Sequence, residues 1–150
     1  MKKVFKITVW AIGLSFTTGC FQLVEDITFN EDGSGKFMFV ANLSQSKTQL
    51  KSIMLLDSIN GYKIPKKESI IKELDKLRSV LSNIDGLSNA LVEQDLDNFI
   101  FSVTGNFKNI EVLNLTINEV NKAFTKPGFT TDIQTNFSMT DTSFTRLFNY

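Results

Sequence analysis

The pattern of apolar and polar residues that follows residue 20 predicts a β-hairpin. Two stretches alternate with a period of two, which is typical of strands that bury one face. The apolar positions are Phe21, Leu23, Ile27 and Phe29 in the first stretch and Phe37, Phe39, Ala41 and Leu43 in the second. Residues 31–35, Glu-Asp-Gly-Ser-Gly, separate the stretches and supply the turn, because glycine readily adopts the positive φ that such turns need.

Three later stretches place apolar residues at helical spacing. A short helix is predicted from the capping-box sequence of residues 46–49, Ser-Lys-Thr-Gln, to about Ser58. The longest pattern covers residues 67–84, and a third helix is predicted from a cap at Asn109 to about Ala123. The apolar stripes of the two longer helices are Ile70, Leu74, Leu77, Leu81 and Ile84 in the first and Ile110, Leu113, Ile117, Val120 and Phe124 in the second.

Two more hairpins are predicted, one on each side of the third helix. Residues 89–96 and 99–107 form the first, with Asp97-Asn98 as its turn and a bulge at Gly105. Residues 133–139 and the C-terminal residues form the second. Because the chain ends inside this last strand, the sequence indicates either an exposed terminal edge strand or a C-terminal truncation.

The order of these elements predicts an α+β fold. Amphipathic helices interspersed with hairpins bury their apolar stripes against one face of an antiparallel sheet, so we expect about three helices on that face. Residues 20–150 are long enough to bury a real core and are predicted to form a single domain.

The first twenty residues carry a different kind of information. Three lysines, Lys2, Lys3 and Lys6, precede an apolar run over residues 7–16. This run is too short to span a bilayer. Thr17-Thr18-Gly19-Cys20 then resembles the lipobox of bacterial lipoproteins. That resemblance implies cleavage between Gly19 and Cys20, removal of residues 1–19 and acylation of the Cys20 thiol. An ordinary secretory signal and a buried amphipathic strand are the alternatives.

Cys20 is the only cysteine of the chain, which favours acylation. An unpaired thiol is a liability in an oxidising exported compartment, and attachment of lipid removes it. Two or three acyl chains on one residue make a stable membrane anchor. The predicted location is therefore the cell envelope. Among lipoproteins an Asp after the acylated Cys is often a retention signal for the inner membrane, and Phe21 in that place favours the outer membrane.

Composition argues against catalysis and against nucleic acid. The chain contains no histidine, so histidine-based acid–base chemistry, nucleophilic triads and histidine metal sites are excluded. No nucleophile motif is present either, and we predict no catalytic residues, no cofactor and no metal site. Loss of the signal lysines leaves acids in excess over bases, whereas nucleic-acid binding needs a concentrated basic surface.

A second resemblance to a family includes Cys20 and continues into the domain that follows it. Cys20 followed by a strand, the turn Asp32-Gly33-Ser34-Gly35 and a second strand is similar to the amino-terminal part of LppM-like bacterial lipoproteins, over about residues 20–44. The resemblance implies an envelope domain of α+β fold that binds lipid-like molecules or partners, and it supplies no catalytic motif.

Two further features leave alternatives open. Fourteen phenylalanines, many on the apolar faces of predicted strands, form either a filled core or the walls of a cavity for an acyl chain. Lysines and one arginine are concentrated in residues 47–78, either as a solvated helix face or as a surface for anionic headgroups. Asp57-Ser58-Ile59 also matches a short bacterial O-glycosylation sequon at Ser58.

Three functions follow from these observations. The first is a non-enzymatic, lipid-anchored envelope protein with an accessory or protein-partner-binding role. The second is a binder or carrier of lipid or another apolar ligand. The third is a hydrolase that uses carboxylates alone, for which Glu93, Asp95 and Asp97 are the candidates; we expect these acids to be exposed hairpin residues, which argues against catalysis.

Overall fold

The computed structural model describes residues 21–124, 136–140 and 143–147 and confirms the α+β fold. The strands are β1 (Gln22–Phe29), β2 (Gly35–Asn42), β3 (Ser58–Ile59), β4 (Tyr62–Lys63), β5 (Leu87–Asp95), β6 (Ile100–Phe107), β7 (Phe137–Thr140) and β8 (Ser143–Arg146). The helices are α1 (Lys47–Met54), α2 (Lys67–Ser82) and α3 (Ile110–Phe124), and a 3-10 turn, Ser44–Ser46, leads into α1.

Four strands form the central antiparallel sheet in the order β1-β2-β6-β5. The predicted hairpins β1–β2 and β5–β6 are joined along β2 and β6, where Asn42 pairs with Ile100. Gln22 pairs with Asn42 at one end of the sheet, and Phe29 pairs with Gly35 at the other. We call these the Gln22 end and the Phe29 end.

The hydrophobic core lies between one face of this sheet and the two long helices. Helix α2 packs on β5 and on α3, and α3 packs on β5, β6 and β7. The alternation predicted from the sequence places the inward side chains of the strands against the helical stripes. The most deeply buried members of this core are Phe37, Leu74, Leu77, Leu81, Val92, Val103, Phe107, Leu113 and Phe137. Helix α1 buries none of its residues and adds nothing to this core.

The β7–β8 hairpin forms a separate two-stranded sheet that covers the Phe29 end of β1. The Phe144 ring lies 4.7 Å from that of Phe29, and Phe137 is 1% exposed. Asn114 of α3 holds the hairpin. Its Oδ1 accepts hydrogen bonds from the backbone N–H groups of Asn136 and Phe137, both at 2.8 Å, and its Nδ2 donates to the Phe137 carbonyl at 2.9 Å.

Helix boundaries agree with the sequence except around α1. Asn109 caps α3 as predicted, because its Oδ1 accepts from the Val112 N–H at 3.1 Å. Ser46 precedes α1 but makes no side-chain capping bond, and α1 ends at Met54 rather than near Ser58. Instead, Ser58 begins the β3–β4 hairpin, which the sequence analysis missed. Its turn residues Asn60 and Gly61 have φ of 51° and 82°, as expected of an Asn-Gly hairpin turn.

The bulge predicted at Gly105 is present in the second large hairpin, with its extra residue on the partner strand. The register shifts between Ser88 and Leu91 in β5, directly across from Gly105 of β6, and Asn89 there has a φ of 51°. Gly105 also has to be small, because a Cβ atom there would lie 2.9 Å from the Phe37 ring. The parts of the last predicted hairpin before residue 136 and after residue 147 lie outside the described residues.

Candidate functional site

A groove of about 520 Å³ opens between the sheet and α3 at the Gln22 end. Its origin is the way the helices cover the sheet. Helix α2 packs on β5, and α3 packs on β5 and β6, so the inward faces of β1 and β2 need another cover. The β7–β8 hairpin supplies it at the Phe29 end, and the Gln22 end stays open.

The walls of the groove are apolar. They are formed by Leu23, Phe39, Ala41, Leu43, Phe101, Val103, Ile117 and Val120. Its volume falls within the roughly 300–1,000 Å³ of small-molecule sites, which are mostly apolar with few polar groups. The phenylalanines therefore divide into two sets: Phe37 and Phe107 fill the core, whereas Phe39 and Phe101 are half-buried and line the groove.

The polar residues of the lining are Glu25, Asn121 and Arg146, and we call these three the rim of the groove. The Arg146 guanidinium forms an ion pair with Glu25 and lies 4.9 Å from the centre of the Phe137 ring. Burial raises the pKa of the Glu25 carboxyl above its ordinary 4.5, and the charge of Arg146 partly opposes that rise. Neither residue belongs to a recognisable sequence motif. The one available signal is that Glu25 occupies an inward position of an alternating strand.

A second, more polar groove of about 700 Å³ lies beside α1, with four lysines and one glutamate in its lining. Lys47 Nζ donates to Asn98 Oδ1 at 2.7 Å, and Lys67 Nζ lies 3.3 Å from Asp97 Oδ1. Lys66 Nζ pairs with Asp57 at 3.2 Å and donates to the Leu56 carbonyl at 2.9 Å. The Lys47 and Lys67 bonds tie α1 and the start of α2 to the β5–β6 turn. Part of the basic cluster predicted from residues 47–78, namely Lys47, Lys51, Lys66 and Lys67, thus lines this groove at the Gln22 end.

The candidate carboxylates do not share a cleft. Glu93 is exposed on the face of the sheet opposite the helices, and its Oε2 accepts from Ser102 Oγ at 3.4 Å. Asp95 Oδ1 accepts from the backbone N–H groups of Asp97 and Asn98, and bonds from Asn98 lower its pKa. Within the described ranges, no group of three or more His, Cys, Asp or Glu side chains is arranged to hold a metal ion.

The predicted lipidation site, Cys20, and the cleavage position after Gly19 lie outside the described residues. The first described residue, Phe21, is 61% exposed and leads directly into β1. Among the helices of the described segments, none combines the length and the apolar character needed to cross a bilayer. Ser58, in the glycosylation-like tripeptide, is exposed in β3.

Comparisons with known proteins identify no relative: no family model, no curated protein and no solved structure matches the chain.

Proposed function

We propose that this protein is a lipid-anchored, non-enzymatic protein of the bacterial envelope whose domain binds an apolar, acyl-chain-like ligand. The observation that carries the proposal is the groove between the sheet and α3. The sequence left open whether the phenylalanine-rich strands enclose a filled core or a site. Phe39 and Phe101 support the second alternative, because they face the groove rather than a packed neighbour on every side.

The distribution of polar groups sets the chemistry of the ligand. Apolar walls favour a hydrocarbon portion inside the groove, where it is removed from water. The Asn121 amide and the Glu25–Arg146 pair at the rim suit a polar head. A single-chain amphiphile, such as a fatty acid or the acyl part of a lipid, has this division.

Binding rather than catalysis also agrees with the placement of the acids. Glu93 and Asp97 are exposed, and Asp95 is engaged in its own turn. Exposed carboxylates make poor general acids at neutral pH, because a raised pKa needs burial or a close like charge. Glu25 is only partly removed from water, and its partner is a cation, which opposes the retention of a proton.

The proposal is tested by filling the groove. Ala41 and Met38 lie on β2, but Ala41 lines the groove whereas Met38 is exposed on the opposite face. Ala41→Trp should abolish most of the binding of a fluorescent long-chain fatty acid, and Met38→Trp should leave binding at the wild-type level. Circular dichroism would check that both variants are folded. A wild-type chain that binds no probe, or equal binding by both variants, would overturn the ligand site and favour the accessory, partner-binding role.

A further inference from the structure

An exposed apolar cluster projects where α1 ends and the β3–β4 hairpin follows. Leu55 is 84% exposed, Tyr62 64% and Leu56 48%, and Ile53 of α1 is also exposed. Isolated exposed apolar residues are normal on protein surfaces, whereas four within ten positions of sequence indicate an interaction surface. We call Ile53, Leu55, Leu56 and Tyr62 the apolar tip.

Three lysines flank this tip, and the one acid beside Leu56, Asp57, pairs with Lys66. Lys51 lies one turn before Leu55, Lys63 follows Tyr62, and Lys66 donates to the carbonyl groups of Met54 and Leu56. The Lys66 bonds hold the backbone of the tip, which would otherwise end a short helix without support. Segments that lie in the interface of anionic membranes have this composition, with leucine and an aromatic ring flanked by lysines.

The topology brings the tip and the proposed anchor to the same end of the molecule. Strand β2 ends at Asn42 beside Gln22, and the 3-10 turn and α1 follow from there. Phe21 alone separates Cys20 from β1. Since a residue spans at most about 3.3–3.6 Å, the Gln22 end lies within roughly 10 Å of the acylated residue. A bilayer that holds the anchor is therefore close to this end.

We infer that the Gln22 end is the membrane-facing surface of the domain and that the apolar tip enters the headgroup region of an anionic bilayer. The inference rests on the anchor included in the proposed function. It also specifies the route of the ligand, because Leu23 and Leu43 line the groove at this same end. An acyl chain from the bilayer would meet the groove without crossing bulk water.

The position of the tip can be measured with a fluorophore attached to an introduced cysteine. The full chain is produced in a bacterial host, reconstituted by its anchor into vesicles of phosphatidylcholine and phosphatidylglycerol, and labelled with the thiol-reactive dye NBD. Leu55→Cys is compared with Leu91→Cys, since Leu91 is 51% exposed on the sheet face opposite the helices. Dithionite added outside the vesicles should quench the dye at position 55 several-fold more slowly than at position 91.

A second experiment tests whether the lysines contribute to insertion of the apolar tip. Lys51→Gln together with Lys63→Gln should expose the dye at position 55, because each lysine near an anionic surface is worth about fivefold in partitioning. The same effect should follow when phosphatidylglycerol is omitted from the vesicles. Neither change should alter quenching at position 91.

The outcomes distinguish failure of the inference about the tip from failure of the proposed anchor. Equal quenching at positions 55 and 91, in a chain that floats with the vesicles, would overturn the inference and leave the anchor intact. Uptake of dye by the wild-type chain would show that Cys20 carries a free thiol. That result would overturn the proposed anchor and, with it, the inference.

Discussion

Arg146 and Glu25 form an ion pair across 121 positions of sequence, and this pair links the last described strand to the first. Glu25 belongs to the edge strand β1 and faces the helical side of the sheet, whereas Arg146 ends β8. The Arg146 side chain is also held by the Phe137 ring, which is itself in the core. The rim of the groove is thus connected to the packing of the domain.

The burial of Glu25 predicts how stability depends on pH. Its pKa is raised in the folded protein, so the folded state binds its proton more tightly than the unfolded state. The stabilisation that this protonation gives is fully present below the ordinary pKa of 4.5 and is lost as pH rises through the raised pKa. The free energy of unfolding of wild type, relative to that of Glu25→Gln, should therefore fall over this window.

Arg146→Gln provides the companion variant for this titration. Because the Arg146 charge lowers the pKa of Glu25, its removal should raise that pKa further and extend the loss of stability to higher pH. Urea denaturation at a series of pH values measures both effects. A wild-type profile parallel to that of Glu25→Gln would contradict the assignment to Glu25.

Asn114 predicts how firmly the β7–β8 hairpin is held. Leucine at this position would leave the N–H groups of Asn136 and Phe137 without their acceptor, and an orphaned buried group costs about 1–3 kcal/mol. Asn114→Leu should lower the free energy of unfolding by at least this amount and speed hydrogen exchange at both amides. Asn114→Asp retains the acceptor and should cost less; equal losses in the two variants would exclude the proposed clamp.

Gly35 should be far less replaceable than Gly33. A Cβ atom at Gly35 would lie 2.1 Å from the Thr28 carbonyl oxygen and 2.5 Å from Phe107 Cζ, so backbone and core must both shift. Gly35→Ala should cost at least the roughly 1–3 kcal/mol of an overpacked core. A Cβ atom at Gly33 would have no neighbour within 4 Å, so Gly33→Ala should lower the free energy of unfolding only through its φ of +80°, by about 1–2 kcal/mol. Thermal unfolding of the two variants measures both losses. A larger loss of stability in Gly33→Ala than in Gly35→Ala would refute this account.

Cys20→Ser tests the proposed anchor directly. Serine offers no thiol for the acyl chains, so the variant should take up no labelled fatty acid and should leave the membrane fraction on lysis. Thr18→Ser is the control, since it keeps Cys20 and a small residue before it. Undiminished labelling of Cys20→Ser would place the lipid elsewhere or exclude it.

The sequence predicts the elements well because their patterns are local. The placement of Phe37, Phe39 and Ala41 on one strand face and the three-to-four spacing from Ile70 to Ile84 each arise from one element that packs against one core, and both elements form as expected. Asn60-Gly61 shows the limit. The sequence predicts a helix to about Ser58, just before this pair, whereas the pair forms a hairpin turn because strands flank it.

The candidate site is less predictable from the sequence, because it depends on how the helices and hairpins pack on the central sheet. The alternation of β2 places Phe37 and Phe39 on one face, yet only the positions of α2, α3 and the β7–β8 hairpin decide that Phe37 is buried in the core and Phe39 lines a groove. The partnership of Glu25 with Arg146 has no local pattern at all, since nothing near either residue specifies the other.

The link between Glu25 and Arg146 also sets an order of assembly. The β1–β2 hairpin closes over a turn of a few residues, whereas the pair encloses nearly the whole domain, and contacts of such separation carry the largest loop-closure entropy. Because synthesis begins at the amino terminus, β1 is available long before Arg146. The central sheet is then able to pair while one wall of the groove rim is still missing, and the rim is completed only when β8 joins.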